Sequence, residues 1–130
     1  MTLHSIPDDL NKFSNEMIGL AISVHKSLGP GLLESSYKEC MYYKIGSAGY
    51  FVEKEKALPL IFESVRLDIG YRIDLLVENK LNIEIKAIDA LADIHTAQVL
   101  TYLKLSGIRL GLLINFNVSL LKNGINRLVL

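Results

Sequence analysis

The sequence predicts an α/β fold, a mixed β-sheet flanked by helices in the order helix, helix, strands, helix, strand. Three observations carry that prediction. Between Leu10 and Leu28, apolar side chains recur at three- and four-residue steps, the pattern of an amphipathic helix. From Tyr50 onward the period changes to two, the alternation of strands. Ile108 to Phe116 is a nearly unbroken apolar run, which fits a strand covered on both faces.

Each element has its own local signals. The first helix is expected to start near Ser5 to Asp8, because Ser5 with Asp8 three residues later fits a capping box and Pro7 suits a first turn. Leu10, Phe13, Met17, Leu20, Ala21, Val24 and Leu28 line its apolar face, and Gly29-Pro30-Gly31 ends it. A second helix runs from about Leu33 to Ile45 and ends in the Gly46 to Gly49 region. Strands are expected over Tyr50 to Lys56 and Leu58 to Glu63, broken at or before Pro59, and more clearly over Ile69 to Val77 and Leu81 to Ala87. A third helix spans about Ala90 to Leu105 and is stopped by Gly107. Asn117 to Gly124 reads as a loop or a strand with a turn, and Arg127 to Leu130 as a last short strand.

Composition bounds what such a fold can do. The chain has 130 residues, 50% of them hydrophobic, with 14 basic and 14 acidic side chains and zero net charge. That length suits a single domain over residues 1–130. The apolar content excludes disorder, and the balanced charge excludes a global positive field, so any nucleic-acid contact needs a local basic patch. The single cysteine, Cys40, cannot close an internal disulfide, and no Cys/His spacing suggests zinc. A reducing, cytoplasmic setting is the natural expectation. No secretory leader is read at the N-terminus, because Ser23, His25 and Lys26 interrupt the first apolar run and no basic lead-in precedes it. The apolar stretch Leu110 to Ile114 is far too short to span a bilayer, so no membrane partner is expected.

The chemistry concentrates between Ile69 and Ala87. One face of the first strand carries Ile69, Tyr71, Ile73, Leu75 and Val77, and the other Gly70, Arg72, Asp74 and Leu76. In the second strand Leu81, Ile83, Ile85 and Ala87 face one way and Asn82, Glu84 and Lys86 the other. A hairpin must align the apolar faces, since a one-residue slip flips every side chain. A three-residue loop, Glu78-Asn79-Lys80, does so: Val77 opposes Leu81, Leu75 opposes Ile83 and Ile73 opposes Ile85. Asp74 then opposes Glu84, and Arg72 opposes Lys86. Two carboxylates about 5 Å apart at Cβ repel, and a shared proton, a nearby cation or a bound metal must offset this. An all-oxygen donor set suits Mg²⁺ or Mn²⁺. The rival reading is a solvated strand face, ordinary in antiparallel sheets.

These residues also match a family pattern. Asp74, followed one hairpin later by Glu84-Ile85-Lys86, resembles the signature of the PD-(D/E)XK nucleases. Gly31-Leu32-Leu33-Glu34-Ser35-Ser36-Tyr37 reads as GxxExxY and resembles the GxxExxY family, a branch of that superfamily. Gln98 and Tyr102 resemble the glutamine–tyrosine helix motif of RecB-type nucleases, and Leu110 to Asn117 follows them. The resemblance covers about Ile18 to Arg127. It implies a restriction-endonuclease-like core and hydrolysis of phosphodiester bonds in DNA or RNA. It implies that Asp74, Glu84 and the backbone carbonyl of Ile85 hold Mg²⁺ or Mn²⁺, that Lys86 assists the attacking water, and that Glu34 and Gln98 reach the site. Ile73 stands where the family name has proline.

Other residues carry plainer expectations. Tyr37 is read as a core tyrosine with a satisfied hydroxyl, and Gly31 as a backbone angle other residues resist. His25 is expected to interact with a helix dipole, His95 to be structural or to back the site, and Cys40 to be a small core residue. Lys54, Lys56, Arg66, Arg72 and Lys86 are candidates for a local basic surface. Two rival functions stand beside nuclease activity. One is a non-catalytic module that binds nucleic acid or protein. The other is a homo-oligomer paired through the apolar segment Leu128-Val129-Leu130.

Overall fold

The computed structural model describes residues 7–130, so the Ser5 cap lies outside the described residues. Two helices come first, α1 (Asp8–Leu28) and α2 (Glu34–Ser47). Five strands follow: β1 (Val52–Ala57), β2 (Leu60–Phe62), β3 (Val65–Leu67), β4 (Arg72–Val77) and β5 (Leu81–Lys86). Helix α3 (Asp93–Ser106) leads to β6 (Leu110–Asn115), and a 3₁₀ turn at Leu121–Gly124 leads to β7 (Ile125–Val129).

The main sheet has the order β1-β4-β5-β6-β7. Only β5 and β6 run parallel, and α3 makes the crossover between them; the other neighbours are antiparallel. This is the expected α/β architecture with a mixed sheet flanked by helices. Helices α1 and α2 cover one face, where Met17, Ala21, Tyr37, Met41 and Ile45 meet Leu75, Val77, Ile83, Ile85 and Leu112. Helix α3 covers the other, where Val99 and Leu103 meet Leu113. Burial on both sides explains the unbroken apolar run of β6, all six residues of which are buried.

The β4–β5 register follows the apolar faces as expected: Val77 pairs with Leu81 and Leu75 with Ile83. Glu78 and Asn79 both take left-handed backbone angles, and the Lys80 N–H returns to the Val77 carbonyl, closing the three-residue loop. The ladder then stops. Ile73 does not pair with Ile85, nor Arg72 with Lys86; Ile73 packs with Leu58, Leu76 and Tyr102, and Arg72 pairs with Ala57 on β1. The strands part at Asp74 because its side chain, rather than its backbone, bonds the neighbouring strand, as described below.

Other boundaries shift for local reasons. Glu63, at φ 57°, turns the chain, so the single strand expected over Leu58 to Glu63 becomes the hairpin β2–β3. Its side chains Ile61, Phe62 and Val65 are exposed. β7 pairs along β6 within the chain and forms one edge of the sheet. Among the described residues, no helix is long and apolar enough to cross a membrane.

Two glycines give opposite expectations. A Cβ on Gly124 would meet the Asn115 carbonyl oxygen at 2.2 Å, whereas one on Gly19, in the exposed middle of α1, would meet nothing within 4 Å. Gly124→Ala should therefore destabilise the protein by about 1–3 kcal/mol. Gly19→Ala should stabilise it by about 0.5–1 kcal/mol. Urea unfolding of both variants checks the pair.

Candidate active site

Asp74 lies where β4 leaves its neighbour. Its Oδ2 accepts the Ile85 N–H at 2.9 Å, so a carboxylate replaces the cross-strand backbone acceptor. The Asp74 and Glu84 carboxyl groups lie close enough to act strongly on each other's charge. The reading of Asn82, Glu84 and Lys86 as a solvated face does not hold: Asn82 is 3% and Glu84 7% exposed, and only Lys86 reaches partway to solvent. Glu84 pairs in register with Leu113, which packs under α3.

Burial pushes the Glu84 carboxyl up from its ordinary 4.5 to about 9, and the nearby Asp74 carboxyl adds to the rise. Lys86 opposes it and Glu34 reinforces it. A carboxylate pair that must hold a proton to coexist lacks positive charge.

A second lysine stands beside this pair. Lys38 on α2 approaches Asp74 Oδ1 at 3.8 Å and donates to Glu55 Oε1 at 3.2 Å. Burial works against its charge, but the Glu55 hydrogen bond and the Asp74, Glu55 and Glu34 carboxylates outweigh it and hold its pKa above the usual lysine value. The sequence reading missed Lys38 and Glu55. The available signal was the four-residue step from Glu34 to Lys38, which puts both on one helix face.

The remaining candidates fall around this centre. Glu34 is exposed at the first position of α2, near enough to act electrostatically on both Glu84 and Lys38. Gln98 on α3 is half-buried, and its Nε2 donates to the Tyr102 hydroxyl at 3.2 Å. Burial, then the Glu84 charge, raises the Tyr102 pKa, so the Tyr102 hydroxyl that meets Gln98 also feels the carboxylates. Tyr71, half-exposed, tilts against the Tyr102 ring with centroids 6.0 Å apart.

The Gly31 to Tyr37 segment forms the scaffold for Glu34. Tyr37 is fully buried and stacks on Phe116 with centroids 4.6 Å apart. Its hydroxyl donates to the Gly29 carbonyl at 2.5 Å and accepts from the Leu32 N–H at 3.2 Å. Gly31, at φ 98°, donates its N–H to Asn117 Oδ1. His25 is more than a dipole partner: it is buried, and its Nε2 lies 2.8 Å from the Val118 carbonyl, tying α1 to the loop after β6. His95 Nδ1 accepts the Ala92 N–H, a structural role at the start of α3. Cys40 is a free, half-buried thiol packed against the larger core.

A basic surface is only partly present. Lys54 pairs with Glu39, Lys56 with Glu53 and Arg66 with Asp68. Those acids cancel much of the patch that Lys54, Lys56, Arg66, Arg72 and Lys86 could have made.

A family model described as the PD-(D/E)XK nuclease superfamily matches residues 11–128. The chain belongs to that superfamily. No curated protein and no solved structure matches the chain significantly. PD-(D/E)XK nucleases generally use divalent metals. Among the described residues no three His, Cys, Asp or Glu side chains converge to hold a metal by themselves. The donors still fit Mg²⁺ or Mn²⁺, which commonly take one or two carboxylates and draw their other ligands from water and substrate phosphate. Asp74 and Glu84 supply such a pair, and the raised Glu84 pKa marks the want of positive charge that a cation would meet.

The raised Glu84 pKa sets the sign of a pH effect. The folded protein holds a proton on Glu84 that the unfolded chain releases above about pH 4.5. The contribution of Glu84 to metal-free stability should thus be fully present below about pH 4.5 and be lost as pH rises to about 9. Glu84→Gln should lessen that loss and raise the melting temperature at pH 8. Thermal melts in chelator from pH 5 to 9 compare the two.

Proposed function

We propose that this chain is a divalent-metal-dependent nuclease of the GxxExxY branch, hydrolysing phosphodiester bonds in DNA or RNA. The observation that carries the reading is the Asp74–Glu84 carboxylate pair, held beside Lys86 where β4 and β5 part. Superfamily membership over residues 11–128 supports it.

Asp74 and Glu84 would hold Mg²⁺ or Mn²⁺ with the Ile85 carbonyl. The ion would supply Lewis-acid charge for a phosphoryl oxygen and lower the pKa of a water. The Ile85 N–H fixes Asp74 Oδ2, so Oδ1, which Lys38 approaches at 3.8 Å, is the oxygen that would turn to a cation. Lys86, on the strand that carries Glu84, would orient the attacking water and stabilise charge developing on phosphate. Glu34 would add a further acid from the start of α2. Gln98, oriented by Tyr102, would contact the substrate beside the carboxylates. The water oxygen would bond to phosphorus as the bond to a sugar oxygen breaks, the attacking water giving its proton to solvent and the leaving oxygen taking one from it.

The pairing of Lys54, Lys56 and Arg66 with acids favours a substrate gripped near the site over a long duplex bound by its backbone. The same neutrality supports a second reading, a binding module that has kept the fold without cutting. A cytoplasmic setting and a homo-oligomer belong with either.

Mn²⁺ should raise the melting temperature of the wild type, with stabilisation of about 2.7 kcal/mol at a hundredfold excess over its dissociation constant. Asp74→Asn should lose that response. In a screen of single- and double-stranded DNA and RNA, Asp74→Asn and Lys86→Ala should cut at least about a hundredfold more slowly than wild type. Unchanged cleavage by either variant removes its residue from the reaction, and salt-sensitive binding without cleavage in saturating Mn²⁺ selects the module.

A further inference from the structure

Lys38 and Glu55 have no role in the reaction just described, yet the fold goes to some length to bring them to Asp74. The Lys38 side chain is only 15% exposed. Its ammonium lies between two carboxylates, hydrogen-bonded to Glu55 and, at 3.8 Å from Asp74 Oδ1, beyond hydrogen-bonding reach of that oxygen. Asp74 Oδ2 is taken by the Ile85 N–H, so Lys38 stands beside the other oxygen, Oδ1. Glu55 is unusual in its backbone. It takes φ 52°, a left-handed angle that glutamate rarely adopts, in the middle of a strand. The β1–β4 ladder pairs Lys54 with Leu75 and Lys56 with Ile73, and skips Glu55 and Asp74 between them. The strand gives up a pairing step where the Glu55 carboxylate meets Lys38.

We propose that Lys38, held by Glu55, is the resident cation of the site, a positioning residue that offsets the charge of Asp74 in the metal-free protein and gives up that contact, remaining on Glu55, when a divalent cation binds. The proposal rests on the reading of Asp74 as a metal ligand. A lysine ammonium and a divalent cation beside the same carboxylate oxygen repel each other strongly at the effective dielectric of a protein. One must leave. A lysine tethered to Asp74 alone would have to return to water across a mostly buried path. Glu55, whose carboxylate is half-exposed, already holds the ammonium and offers a shorter retreat. The four-residue step from Glu34 keeps Lys38 on the site side of α2 in either position. Lys38 therefore competes with the metal, and Glu55 weakens that competition.

Calorimetric titration of Mn²⁺ into the metal-free protein tests this, using wild type, Lys38→Met, Lys38→Gln, Glu55→Gln and the double variant Lys38→Met/Glu55→Gln. A melt of each without metal confirms cooperative folding, and Lys38→Gln retains a polar side chain should Lys38→Met fold poorly. Both Lys38 variants should melt lower without metal and bind Mn²⁺ about tenfold tighter, the effect of removing one positive charge a few ångström away. Glu55→Gln should weaken Mn²⁺ binding several-fold, and that weakening should shrink below about twofold once Lys38 is also replaced. Equal Mn²⁺ affinity in wild type and the Lys38 variants would overturn the proposal while leaving the metal site in place. A Glu55→Gln effect that persists at full size in the double variant would overturn it too, by making Glu55 act on the metal directly. Binding by the Lys38 variants but not by wild type would support it in its strongest form. No binding by any of them would remove both the metal site and the competition for it.

Discussion

Two carboxylates pressed together at the point where neighbouring strands part set the terms for the surrounding structure. Glu84 sits on a central strand under a helix, where a lone charge is costly. Asp74 is fixed beside it by a backbone N–H from that same strand. Their repulsion has to be met locally, and the groups that meet it come from both sides of the sheet: Lys38 from α2 and Lys86 from β5, with the Tyr102 hydroxyl nearby on α3. The two helical layers bury the sheet, and the docking of α2 also brings the Lys38 charge to the carboxylates.

The acid pair was legible because it is local. Only a hairpin separates Asp74 from Glu84, and the alternation of Leu75, Val77, Leu81 and Ile83 admits one register. The termination of that ladder at Leu75–Ile83 was not legible, because alternation predicts a continuing strand and carries no sign that a side chain will capture the Ile85 N–H. Lys38 was hidden for a different reason. A lysine one turn after a glutamate looks like a solvated helix pair, and only the docking of α2 over the sheet turns it inward. Glu55 lay in the alternating run Val52 to Ala57, whose pattern gives no hint of a left-handed residue. His25, Asn115 and Asn117 were likewise opaque, since each acts across the fold. The Asn115 side-chain amide accepts the Ile88 N–H at Oδ1 and donates from Nδ2 to the Ile88 carbonyl, and Asn117 reaches back to Gly31.

Those last bonds explain why the Gly31 to Tyr37 segment accompanies the acidic hairpin. Glu34 stands on a helix whose entry loop is held by the buried Tyr37 hydroxyl and by Asn117, and Tyr37 in turn stacks on Phe116 at the end of β6. The loop after β6 is tied to α1 through His25. A continuous set of buried contacts thus runs from the parallel pair β5–β6 through Phe116 and Tyr37 to the start of α2. The position of Glu34 is set by the sheet itself rather than by an exposed loop.

The bend at Glu55 has a second effect, away from the carboxylates. β1 is the outermost strand on its side of the sheet, and its outer row of backbone groups could template the pairing of another chain. A left-handed residue at its centre breaks the straight row that an incoming strand needs, and Glu53, Lys54, Glu55 and Lys56 crowd it with charge. The residue that meets Lys38 also guards this margin of the molecule against aggregation by strand addition.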